Sequence, residues 1–333
     1  MTHVTYVQRK KGEFWSLEEV FQTIREHLPD GVESTTVAAP ASGANLASLL
    51  RNLAWARRLK GELFHVTGDI HYVVLALTGA PVVLTVHDLR FLVEARGWKR
   101  FLLWLLWAYL PGNLADHVTA ISEQTRQALI RFARVPPGKI RVIPNPVSPE
   151  FQPLAQDWRP DRPRLLHVGT TPNKNLERVT DACAGLPVEL RILGRVAEGQ
   201  TRKLEAAGIK FQVFCDLGRN EVVRLYQDCD AVLFPSLYEG FGMPILEGQA
   251  VGRPVLTSNR DPMRQVAGEG ALLVDPDEVD SIRNGIQRLL REPELRSELV
   301  RRGFENVKRY APEAVAAQYA ELYRRDTGDR GQG

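Results

Sequence analysis

The stretch Phe234-Pro235-Ser236-Leu237-Tyr238-Glu239-Gly240-Phe241-Gly242-Met243-Pro244-Ile245-Leu246-Glu247 decides how this chain is read. The apolar run Ala231–Phe234 ahead of it is bounded by turn residues and predicts a short buried strand. Two glycines follow, and then Pro244, where a helix is expected to begin. Proline suits the first helical position because its missing N–H is an orphan there anyway. Outward-facing backbone N–H groups and the positive end of the helix dipole together make an anion cradle. Glu239 on the loop and Glu247 in the expected first turn of the helix flank that cradle. Donors for phosphate with carboxylates for hydroxyls on either side suit a nucleotide-sugar. The plainer alternative is a strand–turn–helix whose glutamates face solvent.

The same residues carry a resemblance. Glu239 and Glu247 enclose seven residues, and Pro-Ser-x-x-Glu-Gly-Phe-Gly-x-Pro-x-x-Glu resembles the donor-site signature of the retaining glycosyltransferases of family four (glycosyl transferases group 1). The resemblance implies the GT-B architecture, an α/β fold of two Rossmann-like domains with a cleft between them. It also implies a C-terminal helix crossing back to the first domain.

Bulk properties agree with two soluble domains. The 333 residues are 44% hydrophobic and 25% charged, ordinary for a chain that buries two cores. The net charge of +3 is too small to argue for nucleic acid. Residues 1–150 carry +4 of it and the remainder −1, so the basic excess lies in the first half. Cys183, Cys215 and Cys229 match no metal-ligand spacing and read as thiols of a reducing compartment. The N-terminus has no signal pattern, and no apolar run reaches the roughly 18 residues of a membrane span. A cytoplasmic protein is expected.

Apolar runs and helical patterns alternate along the chain. Residues 3–7 read as a strand, and Arg9–Phe14 as a basic loop with a single glycine, Gly12. Ser16 is expected to cap the next helix, with Glu19 completing a capping box and Leu17, Val20, Phe21 and Ile24 forming its apolar stripe. Further strands are expected at Thr35–Ala39, Leu63–Thr67, Pro81–Val86, Ala115–Ser122 and Ile140–Ile143, with a helix near Leu46–Leu59. Such alternation argues for a parallel sheet covered on both faces, whose ligands sit beyond the carboxyl ends of the strands. Asp69, His71, His87 and Asp88 fall at those ends. The resemblance makes His87 and Asp88 face sugar and acceptor; Asp69 and His71 are acceptor-side candidates from their strand-end position, against the alternative of a structural role. A lone histidine at such a position is otherwise structural.

Arg96–Leu110 is basic at its start and then apolar and aromatic for ten residues, Phe101–Leu110. The expected reading is a core helix, because a helix apolar all round is usually buried. The alternative is a helix lying in a membrane interface, with Lys and Arg at headgroup level and Trp98, Trp104 and Trp107 partly exposed. Ser122 is expected to cap another helix. Six prolines between Pro144 and Pro163 mark the domain boundary. The expected division is 1–150, 151–310 and a terminal helix at 311–326.

The alternation restarts at Arg164–Val168, followed by Gly169-Thr170-Thr171-Pro172-Asn173-Lys174-Asn175. A strand ending in glycine, with a lysine five residues on, presents a cation to phosphate oxygens. Neither a Walker loop nor a Gly-x-Gly-x-x-Gly turn is present. In the family this turn carries an arginine and a lysine against the donor diphosphate. Lys174 matches the lysine, while Thr170 stands where the arginine usually does. Arg9 or Arg178 are alternative sources of the missing charge. Strands at Glu189–Leu193, Lys210–Phe214, Pro254–Thr257 and Leu272–Asp275 follow, with helices at Glu221–Tyr226, Val279–Leu290 and Pro312–Arg325.

The resemblance therefore implies a metal-independent, retaining glycosyltransferase with no cofactor. It would move a hexose from a UDP- or GDP-sugar to a glycan, lipid-linked or small-molecule acceptor. No Asp-x-Asp or His/Cys cluster with ligand spacing is visible. Lys174 and the amides of Gly240, Phe241, Gly242 and Met243, with Thr170, would hold the diphosphate. Glu247 would accept from the ribose hydroxyls. Glu239, with Lys174 and His87, would carry the chemistry, as nucleophile or as stabiliser of charge at the anomeric carbon. Two other classes stay open: a nucleotide-sugar epimerase of the same architecture, and a non-catalytic subunit on the membrane surface. The epimerase would consume donor without acceptor; the subunit would bind vesicles and leave nucleotide-sugars untouched.

Overall fold

The computed structural model describes residues 1–10, 16–43, 45–89 and 91–328. It divides into two compact units, Met1–Pro146 with Pro312–Gly333, and Val147–Ala311. Each is built on one six-stranded parallel sheet.

In the first unit the strands are β1 (Thr2–Gln8), β2 (Val32–Ala38), β3 (Leu63–Val66), β4 (Val82–Val86), β5 (His117–Ala120) and β6 (Ile140–Val142). Their order is β2-β1-β3-β4-β5-β6, so the chain reverses direction across the sheet between β1 and β3. The helices are α1 (Ser16–Glu26), α2 (Leu46–Ala56), α3 (Phe91–Glu94), α4 (Gly97–Leu103), α5 (Leu110–Leu114) and α6 (Glu123–Ala133). Period-two alternation sorts the core into two faces. Val7, Phe64, Val66, Leu84 and Val86 pack with Trp107 and Leu129 in one cluster. Val4, Tyr6, Leu63 and Val83 pack with Phe21 and Ile24 of α1 in another.

That second face is closed by the end of the chain. In α14 (Pro312–Gly328), Val315, Ala316, Tyr319 and Tyr323 are all buried in the same cluster. A polar chain runs through it: Tyr323 Oη is 2.6 Å from Nδ1 of His65 and 2.9 Å from Tyr6 Oη. His65 Nε2 lies 2.7 Å from Thr85 Oγ1, which in turn lies 2.6 Å from Thr119 Oγ1. Buried polar groups need such partners, since each one left unsatisfied costs about 1–3 kcal/mol.

The second unit holds β7 (Arg164–Val168), β8 (Glu189–Leu193), β9 (Lys210–Phe214), β10 (Ala231–Phe234), β11 (Val255–Ser258) and β12 (Ala271–Val274). The order is β12-β11-β10-β7-β8-β9, placing the reversal between β7 and β10. Around it stand α7 (Leu176–Cys183), α8 (Glu198–Ala206), α9 (Arg219–Gln227), α10 (Met243–Ala250), α11 (Met263–Ala267), α12 (Val279–Arg291) and α13 (Pro293–Val307). Leu165, Leu190, Ile192, Leu233 and Leu256 pack against Leu176 and Val179 of α7 and Ile282 and Ile286 of α12.

Four local expectations need correction. Helix α1 already includes Ser16, so Ser16 is a helical residue rather than its cap, and the expected Gly12 loop lies outside the described residues. Helix α10 begins at Met243, so Pro244 is its second residue and Glu247 its fifth, in the second turn rather than the first. The helix expected at Glu221 starts at Arg219, where the Gly218 N–H donates to Glu221 Oε2 at 2.7 Å.

The fourth concerns Arg96–Leu110, which is not the uniformly buried helix expected. Helix α4 runs into a six-residue π-helix, Trp104–Tyr109. Trp98 is 72% and Phe101 61% exposed, whereas Trp107 and Ala108 are buried. The added residue per turn of a π segment rotates the face that follows it. Among the described residues no helix is long and apolar enough to cross a membrane.

Candidate active site

Two adjacent strands, β7 and β10, end together at the reversal of the second sheet, where open parallel sheets bind ligands. From the end of β7 comes Lys174. From the loop after β10 comes Glu239. Lys174 Nζ donates to Glu239 Oε1 at 2.7 Å, with both side chains mostly shielded at 21% and 13% exposure. The same ammonium sits 4.7 Å from the centre of the Phe234 ring, the last residue of β10.

The turn that carries Lys174 is built by unusual backbone. Gly169 has φ +90, and a Cβ there would lie 2.8 Å from Lys174 Cγ, so only glycine lets the lysine fold back over the strand end. Asn175 adopts φ 66, and its buried amide donates to the carbonyls of Pro235 and Pro276. Asn173 donates to the Tyr238 carbonyl at 3.0 Å and to Glu239 Oε1 at 3.3 Å, while the Leu237 N–H returns a bond to Asn173 O. The two loops are thus laced together at three consecutive residues. Arg178, one candidate for the missing arginine, donates to Asn175 Oδ1 at 3.0 Å.

Thr170, in the arginine position, turns its hydroxyl to the Arg195 carbonyl at 2.6 Å, and its own carbonyl accepts from Gln200 Nε2. It therefore braces the β8 turn. Beside Lys174, His167 is fully buried. Burial and the neighbouring lysine push its pKa down to about 4, so the ring is neutral.

The glycine loop leads into α10 through Gly242, at φ +116, whose carbonyl accepts from the Ile245 N–H at 3.0 Å. The Phe241 side chain is buried edge-on to Tyr310, so only its backbone faces the loop. Glu247, one turn further on, accepts from the Tyr226 hydroxyl at 2.5 Å. Loop amides, a helix start, one ammonium and two carboxylates can stabilise an anionic leaving group and hold hydroxyls around it. Among the described residues no group of three or more His, Cys, Asp and Glu is arranged to hold a metal ion.

The residues expected at the strand ends of the first unit gather at its own reversal point. Arg9, just past β1, forms a bidentate pair with Glu18 at 2.7 and 3.2 Å and reaches Asp69 at 3.8 Å. His87 follows β4 and is half-buried, with Nε2 3.4 Å from the Thr67 carbonyl and Phe21 edge-on at 5.9 Å. Burial lowers its pKa to about 4 against the opposing pull of Asp69. Asp88 is next in the chain and partly exposed. His71 is tied down: its Nδ1–H donates to the Trp107 carbonyl at 2.7 Å, and Trp107 Nε1 donates to the Asp69 carbonyl at 2.9 Å. Asn173, Asn175, Tyr226 and Trp107 are the site-forming residues that sequence reasoning passed over; the Asn-Lys-Asn triplet offered a signal for the first two.

Comparison with known proteins bears on the family and the fold. Residues 5–151 match the family described as Glycosyltransferase Family 4, and residues 150–306 that described as Glycosyl transferases group 1. An O-antigen chain mannosyltransferase B of Escherichia coli is 27% identical over 309 residues, covering 82% of this chain and 77% of that protein. An MMP alpha-(1->4)-mannosyltransferase of Mycolicibacterium hassiacum is 31% identical over 278 residues, 75% of this chain and 66% of that one. Sucrose-phosphate synthase from Thermosynechococcus elongatus superposes with a TM-score of 0.76 at 19% identity, over 98% of this chain and 99% of that one. The Anabaena protein HepE, solved with UDP and glucose, superposes at 0.75 and 15% identity, over 97% and 99%. Likeness at such low identity speaks to the fold.

Proposed function

This chain belongs to the family-four glycosyltransferases of GT-B fold, and from that premise we propose that it transfers a hexose from a nucleotide-sugar with retention of configuration. The carrying observation is the Lys174–Glu239 pair at the joint ends of β7 and β10, beside the start of α10. The mannosyltransferases among its relatives support mannose as the sugar. They also support a glycan acceptor, as in the building of a polysaccharide.

In this reading the donor diphosphate lies against the amides of Gly240–Met243 and draws Lys174 toward its oxygens. Glu239, relieved of the ammonium, accepts from the sugar hydroxyls and steadies positive charge at the anomeric carbon. The bond from that carbon to the phosphate oxygen breaks, and the bond to the acceptor oxygen forms on the same face. The departing phosphate takes the acceptor proton. Lys174 and the amides supply the charge compensation, so the reaction needs no divalent metal. Glu247 accepts from the ribose. Neutral His87, with Asp88 and Asp69, orients the acceptor. The bonding of His71 to the Trp107 carbonyl supports a bracing role for it.

Exposed Trp98, Phe101 and Leu102 on α4, beside Arg96, Lys99 and Arg100, support peripheral contact with an anionic membrane face. A cytoplasmic location, at the inner face of the membrane, goes with this reading.

The test is incubation with UDP- and GDP-linked glucose and mannose, with and without acceptor glycans, and NMR of the product linkage. Acceptor-dependent transfer giving the donor's own anomeric configuration supports the proposal. An inverted linkage overturns retention. Donor conversion without acceptor favours an epimerase.

A further inference from the structure

Glu247 does not stand alone. Tyr226, the eighth residue of α9, is fully buried, and its ring packs edge-on against Phe151 at 5.3 Å. Its hydroxyl donates to Glu247 Oε2 at 2.5 Å, at the short end of the range for a hydroxyl bound to a carboxylate. The phenol cannot become the acceptor in this pair, because burial and the adjacent Glu247 charge raise its pKa well above the ordinary tyrosine value. The bond ties α9 to α10 directly, through side chains 21 positions apart.

A glutamate in a helix has three rotatable side-chain bonds, and its carboxylate samples several directions unless something holds it. Here one oxygen is held from below by a group that is itself immobile. We infer that Tyr226 is a positioning residue for the donor, fixing the Glu247 carboxylate to receive a vicinal diol and so setting selectivity for ribo- over deoxyribonucleotides. This rests on the donor-site reading above.

The experiment titrates UDP, GDP and their 2′-deoxy counterparts against wild type, Tyr226→Phe and Glu247→Gln, with melting curves to establish folding. Removing one hydroxyl should weaken ribonucleotide binding about five- to twentyfold, the scale of one charge-assisted hydrogen bond less what a looser carboxylate recovers. Affinity for the 2′-deoxy compounds should stay within about twofold. In steady-state assays the loss should fall on donor KM, with kcat nearly unchanged. In the Glu247→Gln background, Tyr226→Phe should add little, because the two act as one unit. Glu247→Asp, which withdraws the carboxylate from Tyr226 by one methylene, should repeat the ribo-selective loss should Tyr226→Phe fail to fold. Equal weakening of ribo- and deoxyribonucleotides, or a full effect of Tyr226→Phe in the Glu247→Gln background, overturns the inference while leaving the donor site intact. Unchanged ribose selectivity in Glu247→Gln overturns the ribose role itself, and with it this inference.

Discussion

Lys174 and Glu239 pair as opposite charges across the loops that follow β7 and β10, 2.7 Å apart. On the proposed reading, an arriving diphosphate meets a pair of balanced charges rather than an open cation, and the ammonium must change partner for the anion to be held. Lys174→Ala should lower turnover by at least about a hundredfold, on the scale of removing one oxyanion donor. The protein should still fold, with a modestly lower melting temperature, because the shielded Glu239 loses its ammonium partner but keeps the Asn173 amide as a donor. Near-normal turnover in a folded Lys174→Ala protein would sink the assignment of the site.

Glycine at position 242 is required by geometry. A side chain there would adopt φ +116 and place its Cβ 3.0 Å from Ile245 Cδ1. Gly242→Ala should cost about 1–3 kcal/mol of stability, the usual penalty for such backbone. It should also weaken nucleotide binding by shifting the amides at the start of α10. Chemical denaturation and nucleotide titration read the two effects separately.

Three histidines make the fold sensitive to acid. His65 is held at about 3 by burial and the nearby His87, and His167 and His87 at about 4. Each folded value lies below the unfolded value near 6.5, so the unfolded chain binds more protons as pH falls. Their contribution is complete above pH 6.5 and is lost from there down toward pH 4. The slope approaches about 1.4 kcal/mol per pH unit for each enclosed ring. The half-exposed His87 contributes less than His65 and His167. Urea midpoints at pH 7.5 and 5 should differ accordingly, and His65→Gln should flatten the dependence.

Transfer should continue undiminished in excess EDTA. A divalent ion that restored activity after chelation would transfer the charge-compensating role from Lys174 and the loop amides to the metal.

The exposed face of α4 should carry the protein to anionic vesicles and not to neutral ones. Trp98→Ser together with Phe101→Ser should reduce flotation by at least about tenfold, given the 1.5–3 kcal/mol typical of burying one such side chain. Unchanged flotation in that double variant would assign the binding to the basic residues alone.

Much of this was legible because it rests on local pattern. Strand–turn–helix alternation is a short-range property, and both sheets follow from it. Lys174 and Glu239 each sit at the end of an apolar run, and parallel pairing of β7 with β10 does the rest. The partner of Glu247 was not legible, since no periodicity distinguishes the phenol of Tyr226 from an ordinary core aromatic. Arg96–Leu110 was misread for a related reason. Its composition is apolar all round, yet the π-helix redirects its second half inward and leaves the first half in solvent. The early start of α10 at Met243 likewise depends on Gly242, whose left-handed backbone ends the loop before the proline is reached.

The place of α14 in the first unit sets a schedule for biosynthesis. Tyr6, at the start of the chain, and Tyr323, near its end, share one hydrogen bond in one core. While a ribosome is still making residues 147–311, the face of the first sheet that carries Tyr6, Leu63 and His65 has no cover. The second unit, whose residues are contiguous, can complete itself while the first waits. Synthesis normally favours the domain emerging first. Here a nascent chain halted before Pro312 would release a finished second unit attached to an open, apolar sheet.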